Sequence, residues 1–162
     1  MDEAVSRSLA KWPNVPAVYG WLELDRRGNW RIRCGYGAPP RFEKIGNAAL
    51  RDFIARNYEP DEQGRWYFQN GPQRVYVKLA YTPLVVHFEG DALVDQCGRP
   101  FRALAEFLDE QGSVVLQGER AAGLLDDRDL ERYADRGETL APIAAAEVPV
   151  RFGFVQDPGP TP

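Results

Sequence analysis

Four copies of one turn, Asp-x-x-Gly, punctuate this chain: Asp25-Arg26-Arg27-Gly28, Asp61-Glu62-Gln63-Gly64, Asp95-Gln96-Cys97-Gly98 and Asp109-Glu110-Gln111-Gly112. The aspartate accepts hydrogen bonds from backbone amides two or three residues on, and the glycine takes the positive φ that a type I turn with a G1 bulge requires. Three copies run straight into strand-like residues: Trp30 and Ile32, Trp66 and Phe68, Val114 and Leu116. A chain so punctuated folds as antiparallel hairpins. The copies are spaced too unevenly for a solenoid or propeller. The structural reading is preferred to a calcium loop as well, because an EF-hand needs oxygen ligands at alternating positions and a bidentate Glu further on, and that pattern is absent.

Alternation supplies the strands between the turns. Val18, Gly20, Leu22 and Leu24 point one way and Tyr19, Trp21 and Glu23 the other; after the first turn Trp30, Ile32 and Cys34 alternate with Asn29, Arg31 and Arg33. Residues 65–69 and 73–81, joined by Asn70-Gly71-Pro72, continue through 84–89 as an antiparallel meander. Val5, Leu9 and Trp12 share a helical face, predicting an amphipathic lid helix over 2–12 that Pro13 ends. Leu50, Phe53, Ile54, Asn57 and Tyr58 predict the main helix. Short strands are expected near 92–94, 105–108 and 113–117, and a short helix over 127–136, capped by Asp126 and stopped by Gly137. Residues 35–41 read as a loop, 138–155 follow no clear period, and 156–162 read as a disordered tail. The fold class is therefore α+β: antiparallel hairpins with one main packed helix and short peripheral helices. It occupies one domain over 1–155, or two lobes over 1–82 and 83–155.

Composition narrows the function. With 44% apolar and 12% aromatic residues, the 162-residue chain can bury an ordinary core. A net charge of -4 argues against a protein that gains its affinity from nucleic-acid phosphates. Residues 1–80 carry +4 and residues 81–162 carry -8, a polarity that favours docking of the halves or association between copies. Only Cys34, Cys97 and His87 are available as soft ligands, at no recognised spacing, so neither metal nor cofactor is expected. The N-terminus lacks the basic and apolar regions of a signal peptide, and no apolar run approaches ~18 residues. The reading is a cytoplasmic protein with reduced thiols and no membrane or nucleic-acid partner.

Strand parity yields a candidate site. If Val18, Leu22, Trp30, Ile32, Trp66, Phe68, Val75, Val77 and Leu79 face the core, the opposite face is aromatic and cationic. From it we select Trp21, Arg31, Tyr67, Gln69, Arg74 and Tyr76 as a binding set for a small anionic ligand or a protein partner, since rings give contact area and Arg gives forked donors. The plainer alternative is that these side chains pack under helices or pair across strands. His87, between Val86 and Phe88, has no nucleophile motif beside it and reads as structural or exposed. Asp126, Asp127, Asp129 and Glu131 suit a helix start without catalysis, and neither cysteine carries an activating pattern. The leading functional reading is a non-enzymatic binding or regulatory module. The alternatives are an enzyme using His87 or a carboxylate in a cleft between lobes, and a homo-oligomeric structural protein.

Two segments carry a resemblance. Lys11-Trp12-Pro13-Asn14-Val15-Pro16-Ala17-Val18-Tyr19-Gly20-Trp21-Leu22 and Asp61-Glu62-Gln63-Gly64-Arg65-Trp66-Tyr67-Phe68-Gln69-Asn70-Gly71-Pro72-Gln73-Arg74-Val75-Tyr76-Val77 resemble a proteobacterial family catalogued as a domain of unknown function. The order hairpin, helix, strand pair also looks like a second uncharacterised family, in which repeated α+β motifs suggest ligand sensing or signalling. The resemblance implies a soluble bacterial α+β protein and brings no activity with it.

Overall fold

All four turns close by one bonding scheme in the computed structural model, which describes residues 1–160. Each aspartate amide donates to the carbonyl four residues on, at 2.9 or 3.0 Å. The amide of that fourth residue returns a bond of 2.8 to 3.1 Å to the aspartate Oδ1. In the second, third and fourth turns the amide two residues on also donates to Oδ1. The glycines sit at φ between +77° and +83°. The receptive carboxylate thus serves residues two and four positions on, rather than two and three.

The chain divides into two compact units, one of Met1–Asp25, Asn29–Ala80 and the residues from Val155 onward, the other of Arg26–Gly28 and Tyr81–Phe154. The first contains α1 (Glu3–Lys11), β1 (Val18–Leu24), β2 (Trp30–Cys34), β3 (Arg41–Lys44), α2 (Ala48–Arg56), β4 (Tyr58–Pro60), β5 (Trp66–Asn70) and β6 (Gln73–Leu79). Its sheet runs β3-β2-β1-β6-β5-β4, antiparallel except where β1 lies parallel to β6. The antiparallel β5/β6 pair matches the expected meander while β1 beside β6 departs from it; β3 begins at Arg41, the last residue of the expected loop, and β4 at Tyr58, the last residue of the expected helix. Asn57 and Tyr58 lie beyond α2: Asn57 is its C-cap, and Tyr58 opens β4. Tyr58 completes a ring cluster with Trp30 and Trp66, centroids 4.8 and 4.7 Å away. Asn47 caps α2 by accepting from the Leu50 amide at 2.9 Å, and Phe53 packs edge-on to Phe68. Only Val5 of α1 is buried; Trp12, expected to share its face, is 57% exposed. Ile32, placed in the core by parity, is also exposed.

A bulge shapes β1. Val18 stands opposite Val75 and Leu22 opposite Val77, so β1 uses four steps where β6 uses two, and Gly20 absorbs the excess at φ +77°.

The second unit contains β7 (Leu84–Glu89), β8 (Ala92–Asp95), β9 (Ala103–Asp109), β10 (Val114–Gly118), β11 (Ala122–Leu125), α3 (Leu130–Ala134), β12 (Ala141–Ile143) and α4 (Val148–Phe152). Its sheet runs β12-β9-β10-β11-β7-β8, with parallel pairs β11/β7 and β12/β9. The helix expected over 127–136 is a 3-10 turn, Asp127–Asp129, followed by α3; Asp126 caps it by accepting from the Arg128 amide. Val86, Val114, Leu116, Leu125 and Tyr133 form the core. Gly123 lies where a Cβ would come within 2.6 Å of the Val86 Cγ2 and 3.1 Å of the Phe101 ring. Gly123→Ala is expected to cost about 1–3 kcal/mol of stability through this overlap, read by urea unfolding followed by circular dichroism.

Candidate functional site

The face selected by parity is not bare. β5 is buried at four consecutive residues, Trp66 to Gln69, so its sheet is covered on both sides. Tyr67, Gln69 and Tyr76, expected at the surface, are 5%, 0% and 3% exposed. Part of their cover is aromatic: Tyr19 of β1 stacks on Tyr76 at 4.8 Å and Tyr67 meets Tyr76 edge-on, while Val155 pairs with the neighbouring Arg65. The Leu79 amide donates to the Gln156 carbonyl at 2.7 Å, and Pro158 is buried. Residues 156–160 therefore pack in place of a free tail; 161–162 lie outside the described residues.

Under this cover the second Asp-x-x-Gly turn does more than reverse the chain. Asp61 Oδ2 accepts from Arg65 Nε and from the Tyr76 hydroxyl, each at 2.8 Å, while an Arg65 terminal nitrogen donates to the Tyr76 oxygen at 3.0 Å. Burial opposes ionisation of Asp61, but these bonds and the turn amides outweigh it and hold the carboxyl below its ordinary value. Burial raises the phenol of Tyr76, as it does that of Tyr67. Arg74 lies over the Tyr67 ring, 3.8 Å from its centroid. Among the described residues it has no carboxylate within ion-pair distance, whereas Arg65 is paired to Asp61. Arg65, Tyr67 and Arg74 border a polar recess of about 420 Å3 with Asp61, Glu62 and Gln63.

Four of the six selected residues thus come together. Tyr67 pairs with Tyr76 and Gln69 with Arg74 across β5 and β6, although Gln69 turns inward, donating to the Gly71 carbonyl at 3.0 Å. Arg31 and Trp21 lie apart: Arg31 donates to the Phe42 carbonyl, and Trp21 meets Tyr36 and Arg33. Parity does not mark Asp61 and Arg65, whose i, i+4 spacing inside a turn reads as turn chemistry alone. Trp21 instead lines an apolar recess of about 310 Å3 between the sheet and α2, beside Ile32, Ile45, Leu50 and Ile54. A wider recess in the second unit, about 620 Å3, is edged by Asp109, Glu110 and Glu147 without a cation, and offers an anion nothing.

His87 pairs opposite Val94 in the sheet and makes no side-chain hydrogen bond among the described residues. Burial, with Asp95 nearby, pushes the Cys97 thiol up to about 12, which suits an unreactive cysteine. No three His, Cys, Asp or Glu side chains among the described residues are grouped to hold a metal ion.

Fold and site together define an α+β protein of two mixed six-stranded sheets, with no described helix long and apolar enough to cross a membrane. The chain belongs to the DUF2944 family, whose model, described as "Protein of unknown function (DUF2946)", matches residues 1–159. Among solved structures it is similar to a DUF1285 family protein from Silicibacter pomeroyi DSS-3, at 16% identity over 78% of this chain and 74% of that one, with a TM-score of 0.49. It is also similar to a DUF1285 family protein from Shewanella baltica OS155, at 14% identity over 70% and 90%, with a TM-score of 0.48. No curated protein matches the chain.

Proposed function

We propose that the chain is a non-enzymatic binding module that holds a small anionic ligand, a carboxylate or phosphate, through Arg74. The observation that carries this reading is the guanidinium lying 3.8 Å over Tyr67, at the edge of an open polar recess and without a carboxylate partner among the described residues. A planar fork laid on a ring loses little freedom when it meets an anion, and the ring excludes water from one of its faces. Arg65 adds no free charge, being neutralised by Asp61; it donates to the hydroxyl of Tyr76, whose ring meets Tyr67 edge-on. Glu62 is exposed on the turn that edges the recess and opposes an anion.

Thermal unfolding in pyrophosphate and in citrate, against sodium chloride of equal ionic strength, tests the reading. A ligand at 100 times its Kd stabilises by about 2.7 kcal/mol, a rise in Tm well beyond error. We expect such a rise for at least one of the two anions with the wild type, its loss in Arg74→Gln, and tighter binding in Glu62→Gln. No specific shift with either anion, or an equal shift in Arg74→Gln, would overturn the proposal.

A further inference from the structure

The apolar recess beneath the bulge of β1 is a second site, independent of Arg74, and its chemistry is different. We infer that it takes a small, electrically neutral, largely apolar molecule. Nine of its eleven lining residues are apolar, the other two are the amides Asn70 and Gln73, and none is charged. A charged ligand would lose its hydration there and gain no partner, so charge complementarity selects a neutral one. The volume, about 310 Å3, sits at the lower end of the range for small-molecule sites, ~300–1,000 Å3, and is too small for a folded partner.

The recess exists for a structural reason. The excess residues of β1 at Gly20 break the even pairing with β6 between Val18 and Leu22, and both of those residues line the space. At the mouth, Ile32 and Leu50 stand 44% and 38% exposed. Large aliphatic side chains gathered around an apolar hollow are an unsatisfied surface that a fitting molecule covers. Asn70 and Gln73 begin and end the β5–β6 turn and give one end of the site amide donors and acceptors. The occupant is thus an apolar body with a neutral hydrogen-bonding group, not a second anion.

A pair of dyes with one ring skeleton tests this. N-phenyl-1-naphthylamine is neutral, and 8-anilinonaphthalene-1-sulfonate carries an added sulfonate. Titrated into the full chain, the neutral dye is expected to bind saturably at one per chain, at least about tenfold tighter than the sulfonate. Ile32→Asp and Leu50→Asp, both at exposed positions, are expected to weaken it at least about tenfold with circular dichroism and Tm preserved. Arg74→Gln should leave it unchanged, which separates this site from the anion site above. Absence of saturable neutral-dye binding to the folded wild type, equal or tighter binding of the sulfonate, or indifference to both Asp variants would overturn the inference. So would light scattering showing that copies associate through Ile32 and Leu50 and exclude the dye.

Discussion

Asp61→Asn is expected to lower the unfolding free energy by roughly 2–3 kcal/mol, a large effect for a single atom exchanged in a turn. The carboxylate, with its side chain 10% exposed, serves Arg65, the Tyr76 hydroxyl and two turn amides at once. An amide in its place keeps the shape but loses the charge, leaving Arg65 half-buried without its counterion. All four tryptophans, at 12, 21, 30 and 66, belong to the first unit, so their fluorescence during urea unfolding reports on that unit directly. The effect has a definite pH dependence. A carboxyl held below its ordinary value contributes stability that is complete above about pH 4 and is lost as pH falls through its folded value. The gap between wild type and Asp61→Asn should therefore narrow below pH 4; a gap that is constant with pH would show that the charge is not what matters.

Trp66→Ala is expected to cost about 3–5 kcal/mol, because the ring is 2% exposed and is packed against Tyr58 in the cluster with Trp30. Fluorescence of the three remaining tryptophans measures the loss. A cost below about 1 kcal/mol would mean that this side of the sheet is wet.

Local chemistry was the most legible layer of this sequence. The four turns follow from Asp and Gly at fixed offsets, and the dry positions Trp30, Trp66 and Val77 follow from alternation once a turn fixes the phase. Parity stopped being informative where partners come from far along the chain. Tyr67 and Tyr76 do point away from Trp66, yet they are buried: Tyr19 stacks on Tyr76, and the chain returns at Val155 to pair with Arg65 beside them. Ile32 points toward the core side but lines the open recess between the sheet and α2, so an inward direction did not mean burial. The bulge at Gly20 was equally hidden, since a glycine in an alternating strand does not reveal the strand that will pair beside it. Of the candidate site, the ring and guanidinium of Tyr67 and Arg74 were legible as a cross-strand neighbourhood. The Asp61–Arg65–Tyr76 network beneath them was not, because Tyr76 is brought to the turn by the sheet, not by local sequence.

The state of the Arg74 side chain is the most direct test of the functional reading. In nitrogen-15-labelled protein, the Arg74 Nε–H resonance, assigned by its loss in Arg74→Gln, can be followed as pyrophosphate is added. We expect a saturable shift of that signal, with the Asp61-paired Arg65 and the Phe42-bonded Arg31 moving little. A signal from Arg74 that stays fixed while another arginine titrates would place the anion elsewhere and contradict the assignment.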